Sequence, residues 1–267
     1  MFRLNGKEVN VIKFPDGTSK IELEDRMVSN YTNTVTWLYD GDQEIFQLIN
    51  LVDLIRKHDE ACITFLDVPY FPNARMDRVK DRFNESFTLK KFCELLDDMN
   101  FDRIFVFDPH SQAIKLLIDD EVFGLCTVHE IVFNKVKERL NNDFILFYPD
   151  EGARKRYDYK MPSLCGFKNR DWETGKILDL EVVGNKDLVK GRDVLIMDDI
   201  SSYGGTFLHS AKKLKELGAK DVYLFVSHCE NSILEGELYK SGLIKKVFTT
   251  NSIYRGSDPW VEVVHKF

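Results

Sequence analysis

The sequence predicts an α/β fold in which mostly parallel, twisted sheets are flanked by helices. Short apolar runs alternate with longer stretches of helical periodicity along the chain, and this alternation is typical of strand–helix–strand units. Several of the short runs are apolar on both faces, as a strand buried inside a parallel sheet requires. Because the alternation runs through twice, we expect two domains, at 1–128 and 129–267.

The predicted strands are short, apolar and often β-branched or aromatic. They are Val9–Lys13, Ser19–Leu23, Thr34–Leu38, Cys62–Leu66, Arg103–Phe107, Phe144–Phe147, Val194–Met197, Val222–Val226 and Lys246–Thr249. Apolar residues at helical spacing predict helices at Gln43–Lys57, Thr88–Met99, Glu130–Asn141 and Thr206–Leu217. Thr88 is a candidate N-cap, and Gly218 stands where a helix C-terminus favours a residue that tolerates positive φ.

The stretch 161–180 does not fit this alternation. It contains a proline and two glycines among charged residues, and it has little periodicity. It is also longer than an ordinary connection, and long irregular loops in compact domains are often functional lids. We therefore expect a flexible loop here.

Composition excludes several classes of protein. The chain has 267 residues with 43% hydrophobic and 30% charged residues, which is typical of a globular protein. Lys and Arg number 37 against 44 Asp and Glu, a net charge of −7. Because no basic excess is present to neutralise a phosphate backbone, we expect no nucleic-acid partner.

The cysteines and the apolar runs predict a soluble cytoplasmic protein without a membrane partner. Five cysteines occur at wide spacings without a CxxC pair, which argues against a disulfide framework and a structural zinc site. The N-terminus is charged throughout and lacks the apolar core of a signal peptide. No apolar run approaches the roughly 20 residues of a membrane span.

The segment Val194–Phe207, VLIMDDISSYGGTF, carries the clearest chemical signal. An apolar strand leads into two adjacent carboxylates, and a short loop of hydroxyl residues and glycines then opens a helix. Carboxylates accept hydrogen bonds from sugar hydroxyls, while amides at a helix N-terminus favour a phosphate. These features together describe a ribose 5-phosphate site. A plain strand–turn–helix with an acidic turn explains the same residues, and the motif alone does not choose between the two.

This segment resembles the phosphoribosyl-pyrophosphate loop of type I phosphoribosyltransferases, and most closely that of the ribose-phosphate pyrophosphokinase family. Further segments resemble motifs of that family in the family's order along nearly the whole chain. They are Phe14–Gly17, Pro69–Arg78, Asp108–Ser111, Pro149–Ala153 and Lys168–Arg170. Each resemblance alone is unspecific, but together, in order and near the family's spacing, they are specific.

The resemblance implies two phosphoribosyltransferase-like domains, with ATP on the first and ribose 5-phosphate on the second. It implies transfer of the β,γ-diphosphoryl group of ATP to O1 of ribose 5-phosphate. The products are 5-phosphoribosyl 1-pyrophosphate, a precursor for nucleotide biosynthesis, and AMP, and Mg²⁺ is the expected cofactor. A homodimer or higher homo-oligomer is expected, because the segment at Phe14 contacts the ATP of a neighbouring subunit in the family.

The resemblance also assigns roles to individual residues. The ATP-binding residues are Phe14, Asp16, Gly17, Thr18, Arg75, Met76, Asp77 and His110. The ribose 5-phosphate-binding residues are Asp198, Asp199, Ser202, Tyr203, Gly204, Gly205 and Thr206. The metal ligands are His110 and Asp150, and the catalytic residues are Lys168 and Arg170 on the predicted loop. A lysine supplies a point charge and an arginine a planar fork, and both neutralise charge on a transferring phosphoryl group.

The sequence departs from the family's pattern at several of these positions. Ser202 replaces an aspartate and Tyr203 a threonine, so a loop carboxylate is lost and a small hydroxyl becomes a phenol. Met76 replaces a glutamine and Thr18 a glutamate, so polar contacts to the nucleotide are lost.

Two other functions fit part of the pattern. A phosphoribosyltransferase that uses phosphoribosyl pyrophosphate and a base would share the DD…GGT loop, but it has no use for Arg75 or the Phe14 segment. A catalytically inactive regulatory or binding homologue would explain Ser202 and Tyr203. The joint presence of Lys168 and Asp198 argues against that decay, since inactive homologues have no use for interdependent catalytic groups.

Overall fold

The computed structural model describes residues 1–79, 84–126, 128–170 and 177–267, and the side chains of residues 168–170 and 177–179 are outside the described part. Within these ranges the chain divides into two compact units. The first is Met1–Val128 together with Phe267, and the second is His129–Lys266. Phe267 clusters with the first unit because its ring centroid lies 5.0 Å from that of Phe107 and because Arg3 Nη1 donates to its backbone oxygen at 2.8 Å.

The first unit contains eight strands and three helices in its described residues. The strands are β1 (Phe2–Leu4), β2 (Lys7–Glu8), β3 (Asn10–Lys13), β4 (Ser19–Glu22), β5 (Thr32–Trp37), β6 (Ile63–Val68), β7 (Arg103–Val106) and β8 (Phe123–Leu125). The helices are α1 (Gln43–His58), α2 (Thr88–Asp98) and α3 (Ile114–Leu117), and a 3-10 turn covers Asp25–Met27.

Six of these strands form one sheet in the order β2-β1-β5-β6-β7-β8. Strands β5 to β8 are parallel to one another, while β1 runs antiparallel to both β5 and β2. Strands β3 and β4 form a separate antiparallel hairpin. Leu66 and Ile104 on the buried face of the sheet belong to the same apolar cluster as Leu51 of α1 and Leu96 of α2.

An ionisable side chain on β6 is destabilising at neutral pH. Asp67 lies on the opposite face of the strand from Leu66, and burial raises its pKa to about 6, although a hydrogen bond with Thr36 acts in the opposite direction. The folded state therefore binds this proton more tightly than the unfolded chain, whose aspartate pKa is about 3.9. The stability that the protonated form contributes is present below about pH 4 and is lost as the pH rises through 6.

Asp67→Asn is accordingly expected to raise the free energy of unfolding by about 2 kcal/mol at pH 8 and to change it little at pH 4. Urea unfolding of both proteins at the two pH values measures this difference. Asp53→Asn, at an exposed position of α1, is the matched control and should change stability by less than about 0.5 kcal/mol. An equal effect of Asp67→Asn at both pH values would contradict the assignment.

The second unit contains seven strands and four helices in its described residues. The strands are β9 (Ile145–Tyr148), β10 (Ser163–Arg170), β11 (Ile177–Val183), β12 (Val194–Ser201), β13 (Val222–Cys229), β14 (Lys246–Thr250) and β15 (Val261–His265). The helices are α4 (His129–Arg139), α5 (Glu151–Arg156), α6 (Gly205–Glu216) and α7 (Glu237–Ser241), with 3-10 turns at Lys186–Val189 and Asn231–Leu234.

The strands of the second unit form one sheet in the order β11-β10-β9-β12-β13-β14-β15. All neighbouring pairs are parallel except β10 and β11. Strands β9 and β13 are buried at every position, which explains why their sequences are apolar on both faces. The predicted α/β fold with mostly parallel sheets is confirmed.

The stretch 161–180 is not the irregular loop that the sequence predicts. Strands β10 and β11 run through it and pair antiparallel, with Lys168 opposite Leu180. The strands form here because Leu164, Leu180 and Val182 are buried in the apolar cluster of the second unit. Charged residues between these apolar positions conceal the strand pattern in the sequence. Residues 171–176 of the predicted loop lie outside the described residues.

The two predicted helix-end signals have different outcomes. Helix α2 begins at Thr88 itself with Phe87 as its N-cap and without a side-chain cap bond, so the N-cap prediction is wrong by one residue. Gly218 follows the C-cap of α6 at Leu217 with φ +91°, as predicted. Only glycine adopts this backbone conformation without strain, so a glycine at this point of the sequence indicates the end of the helix.

The five cysteines differ in their burial. Cys62, Cys93, Cys126, Cys165 and Cys229 are free thiols, and all but Cys126 are buried. Among the helices of the described ranges, none has both the length and the apolar composition needed to cross a lipid bilayer.

Candidate functional site

The two adjacent carboxylates lie near the carboxyl end of a central strand of the second unit. Strand β12 continues past its predicted end to Ser201, because its last residues still pair with β13. Asp198 lies opposite Val226, and Ser201 lies opposite Cys229. Ligands of open α/β sheets bind at this edge, so the carboxylates are placed where a substrate is expected.

The loop after β12 turns directly into helix α6. Gly204 is the N-cap of this helix and has φ +80°, a left-handed conformation that favours glycine. Its carbonyl oxygen accepts hydrogen bonds from the amides of Phe207 and Leu208, both at 3.0 Å. The first amides of a helix have no hydrogen-bond partner within the helix, and they lie at the positive end of the helix dipole. The N-terminus of α6, at Gly205 and Thr206, is therefore suited to a phosphate.

The two carboxylates have different environments. Asp199 is only 4% exposed, and one of its oxygens lies 3.8 Å from Nη1 of Arg156 at the end of α5. Asp198 is more accessible, and burial raises its pKa well above the usual range, with further contributions from the charges of Asp199 and Asp150. Asp198 is thus the more accessible acceptor, while Asp199 is held inside by an ion pair.

Arg156 contacts the candidate site, and the sequence does not single it out. It stands in the run Arg154–Lys155–Arg156, and no pattern separates it from its neighbours. Only the packing of α5 beside β12 brings its guanidinium to Asp199. Which arginine pairs with Asp199 therefore depends on the tertiary structure.

The backbone of the loop between β12 and α6 is held by the segment 230–238. The amide of Glu230 donates to the carbonyl oxygen of Ser201 at 2.8 Å. A Cβ atom on Gly236 would overlap the carbonyl oxygen of Tyr203 and would lie 2.9 Å from its carbonyl carbon. Glycine is required at 236 because the two backbones approach so closely. The sequence offers no signal for this, since the same glycine fits an ordinary turn.

The two residues that depart from the family's pattern differ in exposure. Ser202 is half-buried, and its hydroxyl oxygen lies 3.2 Å from that of Ser232. Ser232 in turn donates to Oε2 of Glu230 at 3.2 Å. Tyr203 is 58% exposed, so its phenol extends away from the loop into solvent. Neither side chain disturbs the start of α6.

Asp150 lies at the end of β9, where it begins helix α5. Its Oδ1 accepts a hydrogen bond from the amide of Ala153 at 3.0 Å, which makes it the N-cap of α5. Its negative charge contributes to the raised pKa of Asp198. Among the described residues named so far, this part of the sheet carries three carboxylates and one guanidinium.

These carboxylates fit a magnesium ion in the type of donor that they offer. Carboxylate oxygens are the ligands that Mg²⁺ prefers, and the mutual repulsion of Asp150, Asp198 and Asp199 would be relieved by a divalent cation. In the part of the chain that the structure describes, no group of three or more His, Cys, Asp or Glu residues could by itself hold a metal ion. A Mg²⁺ bound here would take its other ligands from water and substrate phosphates, as this ion normally does.

The two predicted catalytic cations lie near the end of β10. The backbone of Lys168 pairs with Leu180 and that of Arg170 with Ile177. Their side chains are outside the described residues, so their catalytic roles stay predictions.

In the first unit, the segment at Phe14 forms the turn between β3 and β4. The amide of Phe14 donates to the carbonyl oxygen of Thr18 at 2.9 Å, and Gly17 has φ +86°. Oδ1 of Asp16 accepts from the hydroxyl of Thr18 at 2.7 Å and from its amide at 2.9 Å. These two hydrogen bonds lower the pKa of Asp16. The turn presents a fixed carboxylate beside the phenyl ring of Phe14, which is 47% exposed.

The other predicted ATP-binding residues of the first unit lie in two segments that contact each other. The hydroxyl of Ser111 donates to Oδ2 of Asp77 at 2.8 Å and so connects the segment after β6 with the segment after β7. Arg75 and Met76 beside Asp77 are exposed, and His110 beside Ser111 is half-buried. The structure therefore brings these predicted residues into one region of the first unit.

One aromatic residue of the segment Pro69–Arg78 belongs to the core. Phe71 is 1% exposed, and its ring centroid lies 5.2 Å from that of Phe92 in α2. Its ring is therefore too deeply buried to stack on a base. Tyr70 is more accessible and packs against Tyr39 at a centroid distance of 5.9 Å.

The chain is similar to curated ribose-phosphate pyrophosphokinases over nearly its whole length. That of Listeria ivanovii is 29% identical over 262 residues, which are 95% of this chain and 80% of the relative. That of Bacillus subtilis is 28% identical over 255 residues, 91% of this chain and 77% of the relative. That of Thermococcus kodakarensis is 28% identical over 253 residues, 92% of this chain and 86% of the relative.

A solved structure shares the fold. The crystal structure of phosphoribosylpyrophosphate synthetase from Mycobacterium smegmatis matches with a TM-score of 0.78 and 21% identity, covering 97% of this chain and 86% of that chain. No protein-family model matches the chain. The curated relatives and the shared fold nonetheless agree: over nearly its whole length the chain is similar to ribose-phosphate pyrophosphokinases.

Proposed function

We propose that the protein transfers the β,γ-diphosphoryl group of ATP to O1 of ribose 5-phosphate, giving 5-phosphoribosyl 1-pyrophosphate and AMP. One observation carries this proposal above the others. The acidic strand end of β12, the left-handed Gly204 and the N-terminus of α6 have the features that a sugar-phosphate site needs, and the curated relatives of the chain are named ribose-phosphate pyrophosphokinases.

Ribose 5-phosphate is proposed to bind to the second unit. Its phosphate would accept hydrogen bonds from the first amides of α6 and from the hydroxyl of Thr206. Gly204 and Gly205 leave the backbone open for close approach, and a Cβ on Gly205 would meet no atom within 4 Å. Asp198, the more accessible carboxylate, would accept a hydrogen bond from a sugar hydroxyl.

ATP is proposed to bind through residues of the first unit. The carboxylate of Asp16 is fixed by Thr18 and can accept from the hydroxyl or amino groups of a nucleotide. Arg75 and His110 can donate to phosphate oxygens. Ser111 donates a hydrogen bond to Asp77, which connects the two segments that carry Arg75 and His110.

The chemistry requires charge neutralisation. O1 of the sugar attacks the β-phosphorus, the bond from that phosphorus to the oxygen bridging to the α-phosphate breaks, and AMP leaves with that oxygen. The O1 proton passes to solvent. Lys168 and Arg170 are proposed to stabilise the charge on the transferring group. Bound Mg²⁺ would supply further neutralisation of phosphate oxygens, and Asp150 of the second unit and His110 of the first are proposed as metal ligands, each within its own unit.

The proposal is tested by AMP formation from ATP and Mg²⁺, with and without ribose 5-phosphate. We expect AMP only with the sugar phosphate present, together with an equal amount of 5-phosphoribosyl 1-pyrophosphate. A folded protein that binds ribose 5-phosphate but makes no AMP would support an inactive binding homologue instead. Failure to bind ATP, with consumption of phosphoribosyl pyrophosphate in the presence of a base, would support a phosphoribosyltransferase.

We further propose a homodimer or higher homo-oligomer in the cytoplasm. Phe14 is exposed at the tip of the β3–β4 turn, where it is available to a second copy of the chain. The free thiols suit a reducing compartment.

A further inference from the structure

Three side chains form a hydrogen-bonded chain at the loop between β12 and α6. Ser202 belongs to the loop, and its Oγ lies 3.2 Å from Oγ of Ser232. Oγ of Ser232 lies 3.2 Å from Oε2 of Glu230. All three residues are half-buried, so each is shielded in part from competing water.

The direction of these hydrogen bonds follows from the chemistry of the end group. A carboxylate only accepts, so the hydroxyl of Ser232 must donate to Glu230. A serine hydroxyl has one hydrogen, so Ser232 can only accept from Ser202. The proton of Ser202 is therefore committed to Ser232, and only its lone pairs remain for a ligand.

The loop backbone keeps Ser202 in this position. The amide of Glu230 holds the carbonyl of Ser201 at 2.8 Å, and Gly236 packs directly against the carbonyl of Tyr203. Both contacts come from the segment that also provides Ser232 and Glu230. The loop and its hydrogen-bond partners thus form one local unit.

We infer that Ser202 determines sugar specificity by accepting a hydrogen bond from a ribose hydroxyl, and that Glu230 and Ser232 are positioning residues that set this acceptor orientation. A phosphate dianion offers no hydrogen, whereas a sugar hydroxyl can donate one. Ser202 thus contacts the sugar ring and leaves the phosphate to the amides of α6. This inference rests on the proposed binding of ribose 5-phosphate.

Calorimetric titration of ribose 5-phosphate and its 2-deoxy and 3-deoxy analogues tests the inference. Wild type should prefer ribose 5-phosphate over at least one analogue, and Ser202→Ala should lower that preference by about three- to tenfold. Ser202→Asp, which only accepts, should retain the preference. Ser232→Ala should lower the preference for ribose 5-phosphate in part, because the hydroxyl of Ser202 can then donate its proton to another acceptor. Ser241→Ala, a neighbouring serine whose hydroxyl bonds to the carbonyl of Leu238, is the control and should leave it unchanged.

Two outcomes would overturn the inference. If Ser202→Ala weakens all three sugars equally and Ser202→Asp abolishes binding, Ser202 donates to the phosphate instead. If ribose 5-phosphate binds none of the folded proteins, the proposed function fails and the inference fails with it. Circular dichroism and thermal unfolding of each variant separate these results from misfolding.

Discussion

Replacing Gly236 with alanine is expected to weaken ribose 5-phosphate binding by about 100-fold or more and to lower the free energy of unfolding by about 2 kcal/mol. The added Cβ would overlap the carbonyl oxygen of Tyr203 and would lie 2.9 Å from its carbonyl carbon. The contact is with backbone, so no side-chain rotation relieves it. The loop must move, and the amides that follow Gly204 move with it.

The matched control for the stability part of this prediction is Gly205→Ala; it is no control for binding, because Gly205 belongs to the proposed phosphate site. Its Cβ would meet no atom within 4 Å, so the variant should unfold at the same denaturant concentration as wild type or at a higher one. Urea unfolding and calorimetric titration of ribose 5-phosphate measure both effects. Wild-type affinity in a folded Gly236→Ala protein would show that the loop does not bind the phosphate.

Lys168→Ala is expected to lower kcat for AMP formation by about 100- to 1,000-fold while leaving KM for both substrates within about threefold. The reason is that an ammonium group over the transferring phosphoryl group acts most strongly in the transition state, where charge is redistributed toward the bridging oxygen. Arg170→Ala should behave in the same way, because the two cations share the task.

A matched lysine separates this effect from general loss of charge. Lys186→Ala removes an exposed lysine of the same unit and should leave kcat within about twofold of the wild-type value. Thermal unfolding should be unchanged in both variants. If Lys168→Ala instead raises KM for ribose 5-phosphate with unchanged kcat, Lys168 contributes to ground-state binding and is not catalytic.

Much of the fold is predictable from the sequence because it depends on local periodicity. The central strands β9, β12 and β13 are apolar on both faces, and helices α1 and α6 carry apolar residues at helical spacing. Where the periodicity is interrupted, prediction fails. Strands β10 and β11 combine buried residues such as Leu164 and Leu180 with many charges, so the sequence predicts a loop there. Short strands such as β1 and β8, of three residues each, are too brief to produce a pattern.

The candidate site likewise has some features that the sequence predicts and others that it does not. The acidic residues that precede a glycine-rich helix start at 198–206 are evident in the sequence, and the order of such motifs along the chain indicates the family that it resembles. The position of Gly204 is also predictable, because its left-handed φ restricts the residue type.

The neighbours that contact these residues become known only from the folded chain. Arg156 reaches Asp199, Gly236 meets Tyr203, and Ser232 orients Ser202, yet each pair is separated by about 30 residues or more along the chain. Periodicity and motifs report on residues a few positions apart, because they reflect one helix turn or one strand repeat. Contacts between distant segments depend on how the sheet orders its strands, and no local pattern encodes them.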